Sequence, residues 1–542
     1  MYRALIWGTF VKRILLTSVA VFAFTAVGHA DELATRALNP ADAMAADLPY
    51  KAAVKAPAPV NDDLCWHGIC LYGNFDMGLA YVQHGAPSTP YEPQLITPSP
   101  NSNGSYFGVG SNQFSASFLG LRGKQEVGDN LYAVFNLQTL FMPNSGQNFN
   151  AEQGAVQNNG LGGVPQLQNT NSFGDSSKGG QMFNNAAYFG ISSPVWGTFT
   201  MGRQSSLLSD GVVNYDPLSG AGALSLITNE GITGGGGDTP NRILDNSYEY
   251  RLNVGPVRLA GEISARSGGN AGPGNAYEGS IGFDYMGFSM DAVGAKVYDA
   301  MLYGNVLSTA QVNLITQNQT NSALGVGGIN FALGCSLGCL ASNVSDNTTF
   351  QIAGKYTIGP WKLFGGFEQV RFENPDNPLN AGAFSNGGYN SAFVNDNRYI
   401  TARVEDVYWF GARYSVTRDW DVTGAYYGYH QNSFATSGQT ATQFVNIAGN
   451  GNAVVNAAQN CSDASSYACS GFANAFSLAS DWRFARHFDF YAGAMYTEKA
   501  GGLANGSVLT CTNATTGAGC SSVGGISKIS SVDVVAGLRY QF

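Results

Sequence analysis

Little in this 542-residue chain is charged: Asp, Glu, Lys and Arg make up 12% of it, about half the share of an average soluble domain. Long apolar runs are also missing. After the first 30 residues no stretch approaches the ~20 residues a membrane-spanning helix needs. Histidine is scarce. The five present, His29, His67, His84, His430 and His487, stand at no usable nucleophile or metal-motif spacing. The Gly-rich segment GITGGGGDTP opens no helix after a strand, which removes a phosphate cradle. A formal net charge of −10 argues against nucleic acid as a partner. What is plentiful is glycine (70 residues) and aromatic side chains, with 32 Phe and 27 Tyr, far too many aromatics for a disordered chain. Low charge, much Gly and Tyr, and no spanning helix fit a β-barrel wall that alternates lipid-facing with lumen-facing residues.

The N-terminus reads as an export signal over residues 1–30. Arg3, Lys12 and Arg13 are its positive region, Ile14 to Val27 its apolar core, and Gly28-His29-Ala30 a small-residue cleavage site. Residues 31–68 follow as an Ala/Pro-rich periplasmic linker, and 69–542 as the barrel. The eight cysteines fall in close pairs, Cys65/Cys70, Cys335/Cys339, Cys461/Cys469 and Cys511/Cys520. In an exported protein that spacing suggests four local disulfides. A zinc reading has only His67 near a pair to support it.

The last stretch, SVDVVAGLRYQF, states the grammar of the whole. Val532, Val534, Ala536, Leu538, Tyr540 and Phe542 share one face, and Asp533, Gly537, Arg539 and Gln541 the other, with Val535 an apolar intruder. A soluble sandwich strand could alternate in the same way. The length of about 10 residues suits a tilted membrane strand, and the aromatic pair suits an interfacial girdle. The same pattern recurs from ICLYGNFDMGLAYV onward, through SFLGLRGKQEV, LYAVFNLQTLF and NNAAYFGIS to HFDFYAGAMY. The expected fold is an all-β transmembrane antiparallel barrel of about 16 strands, with very short turns on one rim and long polar loops on the other. FSMDAVGAKVY breaks alternation near Ala292–Val293, where a bulge would restore it.

The pieces LYGNFDMGLAYV, LGLRGKQEVG, AAYFGISSPVWGTFTMGRQ, RILDNSYEYR, YTIGPWKLFGGFE and the terminal GLRYQF resemble the Gram-negative general porins, and most of all their alphaproteobacterial branch. The resemblance covers nearly everything from Ile69 onward except the loops. It implies passive diffusion of small hydrophilic solutes and ions through a homotrimer in the outer membrane, among lipid and lipopolysaccharide, with no cofactor and no catalysis. It also implies a third loop, about 205–242, folded inward as a constriction. On that reading the loop offers Asp210, Asp216, Glu230 and Asp238, and the wall offers Arg122, Arg203, Arg251 and Arg258. An acidic loop facing a basic wall biases ion selectivity. Two features depart from the pattern: Phe118 stands where many relatives have a basic residue, and the loop lacks a Pro-Glu-Phe-Gly-Gly turn. Arg203 also shares parity with Phe199 and Met201, which would send it toward lipid unless the strand ends or bulges at Gly202. Two alternatives stay open. One is a sugar- or anion-selective channel using Tyr427 and Tyr429. The other is a barrel-embedded hydrolase, for which His430 is the one faint candidate.

Overall fold

The computed structural model describes residues 64–83, 105–148, 182–229, 242–265, 275–306, 340–376, 384–386, 389–395, 399, 401–434, 440–445, 454–458, 469–504, 509–513, 518–522 and 528–542. Sixteen strands build the wall. They are β1 Ile69–Val82, β2 Phe118–Gly128, β3 Leu131–Met142, β4 Ala186–Ser193, β5 Gly197–Ser205, β6 Ile243–Val254, β7 Val257–Ser264 and β8 Ala276–Tyr285. The second half continues with β9 Phe288–Val306, β10 Leu340–Ile358, β11 Trp361–Glu373, β12 Arg403–Thr417, β13 Trp420–Gln431, β14 Gly471–Ala485, β15 Phe488–Gly501 and β16 Lys528–Gln541. Each pairs antiparallel with its neighbour. The ring closes where β16 meets β1, with Tyr540 opposite Phe75 and Val534 opposite Tyr81. Closure leaves the wall no unpaired edge, the condition for a sheet to cross a bilayer.

Period-2 alternation sorts the side chains. Phe75, Met77, Leu79, Tyr81, Leu119, Leu121, Tyr408, Phe410, Phe476, Leu478, Val532, Val534 and Leu538 are exposed on the outer wall, as lipid contact requires. Their neighbours Asn74, Asp76, Glu249, Glu262, Asp481, Asp533 and Arg539 are buried inside. The two-residue turns Asp129-Asn130, Gly255-Pro256, Met286-Gly287, Gly359-Pro360, Arg418-Asp419 and Arg486-His487 share one rim with the chain end. Positive φ at Asn130, Gly255, Met286, Gly287 and Gly359 lets those turns reverse within two residues. Exposed Trp196, Tyr285, Trp361, Tyr414, Trp420, Trp482 and Phe488 crowd this rim, an interfacial girdle.

Three expectations need adjustment. β9 runs unbroken through Ala292 and Val293, and its register shifts come later, between Val297 and Ala300 and between Tyr303 and Val306. Val293 points inward because it has an apolar partner there, as described below. Alternation in VRLAGEISARS would put Arg266 on the inward set with Arg258 and Glu262, but β7 ends at Ser264 and Arg266 lies outside the described residues. The second strand is also longer than its motif: Tyr106–Ser111 pairs with the outer half of β1 and β2 with the inner half.

Of the cysteine pairs, Cys65 and Cys70 form a disulfide across the small hairpin of Leu64–Trp66 with the start of β1. Cys511 and Cys520 stand opposite one another on two short paired strands outside the wall. Cys469 is buried. Cys461, Cys335 and Cys339 lie outside the described residues, as do the signal segment and the linker up to residue 63.

Candidate functional site: the loop inside the barrel

The connection after β5 turns into the lumen. Ser206 caps a helix, α1 (Leu207–Tyr215), its hydroxyl accepting from the Ser209 amide at 3.1 Å. The next two free amides, Leu207 and Leu208, donate to the Glu278 carboxylate on β8 at 2.7 and 3.3 Å. A helix N-terminus favours an anion there, so Glu278 fixes where the loop enters. The apolar side of α1 settles on the wall: Leu207 and Leu208 pack with Val293 and Ala295 of β9.

Beyond α1 the loop continues across the inner wall through a short second helix, α2 (Leu226–Asn229). Tyr215, Leu218, Ala221, Leu224 and Ile227 pack in one cluster with Val407 and Trp409 of β12, Tyr427 of β13, Ala475 of β14, Tyr491 of β15 and Val535 of β16. Trp409 donates its indole N–H to the Tyr215 carbonyl at 2.9 Å, and Ser477 its hydroxyl to the Leu224 carbonyl at 2.7 Å. Two wall glycines make room. A Cβ at Gly411 would meet Pro217 at 2.5 Å, and one at Gly493 would meet Leu224 at 2.5 Å. Inward apolar residues are therefore a footprint of the loop, and the apolar intruder Val535 belongs to it.

The arginines named from sequence fall in three environments. Arg251 faces α1: it donates to Asp210 at 2.5 Å and to both oxygens of Glu249 at 2.7 and 2.6 Å. Register places Glu262 between Glu249 and Glu278, so one guanidinium serves a row of wall carboxylates as well as the loop. Arg258 donates to Asp291 at 2.8 Å and to the Tyr215 hydroxyl at 2.9 Å, and pairs with Asp284. Arg122 lies apart, opposite Cys70 on β1, with its guanidinium 4.9 Å above the Tyr72 ring. Arg203 is buried in the wall. Gly202, at φ +135°, and a register shift between Gly202 and Gln204 form the bulge that parity required. The Arg203 guanidinium donates to the Asn184 carbonyl at 3.0 and 2.6 Å and pairs with Asp245.

Of the loop acids, Asp210 meets Arg251, and Asp216 is fully buried. Asp216 accepts from the Tyr427 hydroxyl at 2.6 Å, the Leu218 amide at 3.1 Å and the Gly220 amide at 2.7 Å, so it staples the loop to β13. Glu230 and Asp238 lie outside the described residues. Sequence reading did not single out Glu278, Asp284, Asp291, Trp409 or Arg413. Arg413 donates to the Pro217 carbonyl at 2.7 Å and to the Ser219 hydroxyl at 2.9 Å. Inward parity was the signal for all five; only Trp409 adds a residue type that a water-facing wall does not need, while the four charged residues look like any other polar lumen residue.

Burial raises the Asp210 carboxyl from its ordinary 3.8 to about 6, against the pull of Arg251. A carboxyl raised in this way binds its proton more tightly when the loop is docked. Docking is therefore favoured most below the ordinary value, and that contribution is lost as pH rises through about 6. Below the same point the lumen loses a negative charge beside Arg251. The reversal potential under a salt gradient should then move toward anions as pH falls through about 6. A potential flat across that range would place the Asp210 charge outside the ion path.

A closed, lipid-faced sixteen-strand barrel with a loop folded into a polar lumen defines an outer-membrane channel of the porin class. The family model for Gram-negative porins matches residues 17–450; the chain belongs to that family, and its location is the bacterial outer membrane. Over 159 residues it is 29% identical to an outer membrane porin protein of Bordetella pertussis. That match covers 28% of this chain and 32% of the relative, about a third of its length. The fold is shared with an anion-selective porin from Comamonas acidovorans, at TM-score 0.51 and 17% identity, over 88% of this chain and 99% of that one.

Proposed function

We propose that the protein is a passive diffusion porin, a homotrimer whose water-filled channels pass small hydrophilic solutes and ions down their gradients. The observation that carries this reading is the loop 206–229, docked on the inner wall of a closed barrel rather than over its mouth. A barrel of sixteen strands is wide enough for an aqueous lumen, and a loop lying inside narrows it. Charge at the narrowing then biases which ions pass. Here the charges next to α1 include Arg251 with Asp210, Glu249, Glu262 and Glu278, Arg258 with Asp284 and Asp291, and Lys355, which donates to the Asn214 carbonyl at 3.1 Å. Transport of this kind needs no chemistry and no cofactor. His430 is exposed on the outer wall, away from any lumen group that could make it a base. Tyr427 and Tyr429 are buried beneath the loop, which argues against their use as a sugar slide and favours the general channel over the selective one.

The test is single-channel current from purified, unheated protein in a planar bilayer under a salt gradient. Conductance steps arriving in threes support the trimeric channel, and the reversal potential gives the sign of selectivity. Folded β-rich protein that never conducts would overturn the reading.

A further inference from the structure

Residues Asn112–Ser117 leave the wall between Tyr106–Ser111 and β2. Register pairs Met77 with Ser111 and Asn74 with Phe118, so these six residues stand opposite only Phe75 and Asp76. The excursion turns inward and is organised around one side chain. The Asp76 carboxylate, fully buried, accepts from the Phe114 amide at 2.9 Å, the Ser115 amide at 2.6 Å and the Ser115 hydroxyl at 3.3 Å. Its other oxygen accepts from the Tyr491 hydroxyl at 2.5 Å. Phe114 stacks on Tyr491 with ring centres 4.9 Å apart and lies 5.1 Å under the Arg539 guanidinium. Asn112 closes the insert by accepting from the Ser117 amide at 2.6 Å.

The insert touches the loop. The Gln113 carbonyl accepts from the Ala223 amide at 2.8 Å, and Phe114 packs against the cluster that holds Leu224. The far turn of the loop therefore rests on β1 and β2 through this insert, with Ala80 of β1 in the same apolar cluster. We propose that Asp76 is a positioning residue for the channel: by holding the insert, it fixes where the far turn of the loop lies and so the width and steadiness of the opening. This inference rests on the reading of the protein as a channel.

Asp76→Ala removes the carboxylate that holds the Phe114 and Ser115 amides and the Tyr491 hydroxyl, and leaves only the Asp76 main-chain carbonyl, which accepts from the Asn112 amide. Asp76→Asn keeps a carbonyl oxygen for the Phe114 and Ser115 amides and serves as the conservative rescue. Ala223→Pro deletes the donor on the loop side and leaves the wall untouched. Unheated trimers of Asp76→Ala and Ala223→Pro should show single-channel conductance raised about twofold, with added open-channel noise, and should admit larger neutral sugars into liposomes. Asp76→Asn should stay near wild type. If Asp76→Ala fails to assemble, Ala223→Pro decides. Assembled variants with conductance, noise and sugar cutoff unchanged would overturn the proposal while wild-type conductance stands. A wild type that does not conduct would instead overturn the channel reading beneath it.

Discussion

Leu224→Asp should open the channel. Leu224 is fully buried on the inner face of β14 and β15, beside Gly493. Burying a leucine side chain stabilises by about 2 kcal/mol, and a carboxylate in the same position adds the cost of desolvating a charge. The barrel does not depend on that contact, because its wall is closed by strand-to-strand hydrogen bonds. The loop does depend on it, since the segment after Asp216 is held to the wall mainly by apolar packing, with a few hydrogen bonds from Arg413 and Ser477 and to the Gln113 carbonyl. The expected result is an assembled trimer whose conductance rises at least about twofold, with α1 still anchored through Glu278 and Arg251. Circular dichroism and heat-resistant migration check the wall, and planar-bilayer current reads the opening. Unchanged conductance from an assembled trimer would mean that the loop does not limit flow.

Arg251→Gln should turn selectivity toward cations. Arg251 donates to Asp210 and to both oxygens of Glu249, and Glu262 and Glu278 continue the row across β7 and β8. Glutamine keeps some hydrogen bonding but removes the positive charge from among four carboxylates. Arg251 is only part-buried, so its loss costs less than the roughly 3–5 kcal/mol of breaking a fully buried pair, but it removes the charged contact that Asp210 of α1 makes with the wall and changes the local potential. The reversal potential under a salt gradient should move toward cations. Restoring the original net charge with Asp210→Asn in the same chain should bring it partly back. If Arg251→Gln leaves the potential where it was, these charges lie outside the ion path, and selectivity is set on another face such as that of Arg122.

Gly202 shows how far local reasoning reaches. The parity of Phe199, Met201 and Arg203 required either a strand end or a bulge, and the bulge is there, with Arg203 buried inside the wall rather than turned to lipid. What parity could not supply was the partner. Arg203 is committed to the Asn184 carbonyl and Asp245, groups 19 and 42 residues away in sequence. Asp216 is a similar case. As an acid in an inward loop it reads as a charge facing water, yet it is sealed under the loop by Tyr427.

The sequence by itself determined the barrel. Its sixteen strands, their inner and outer faces and their short turns are local properties, written in a period of two residues and in turn residues that permit reversal. Only the tertiary structure decided what the inner face does. Val293, Trp409, Tyr427, Ala475 and Val535 break the polar rule of a water-filled wall because they pack beneath the loop, and Gly411 and Gly493 leave the gaps it enters. Alternation tells a residue which way to point. It cannot tell whether water or another part of the chain will meet it there, because that depends on contacts between residues hundreds of positions apart.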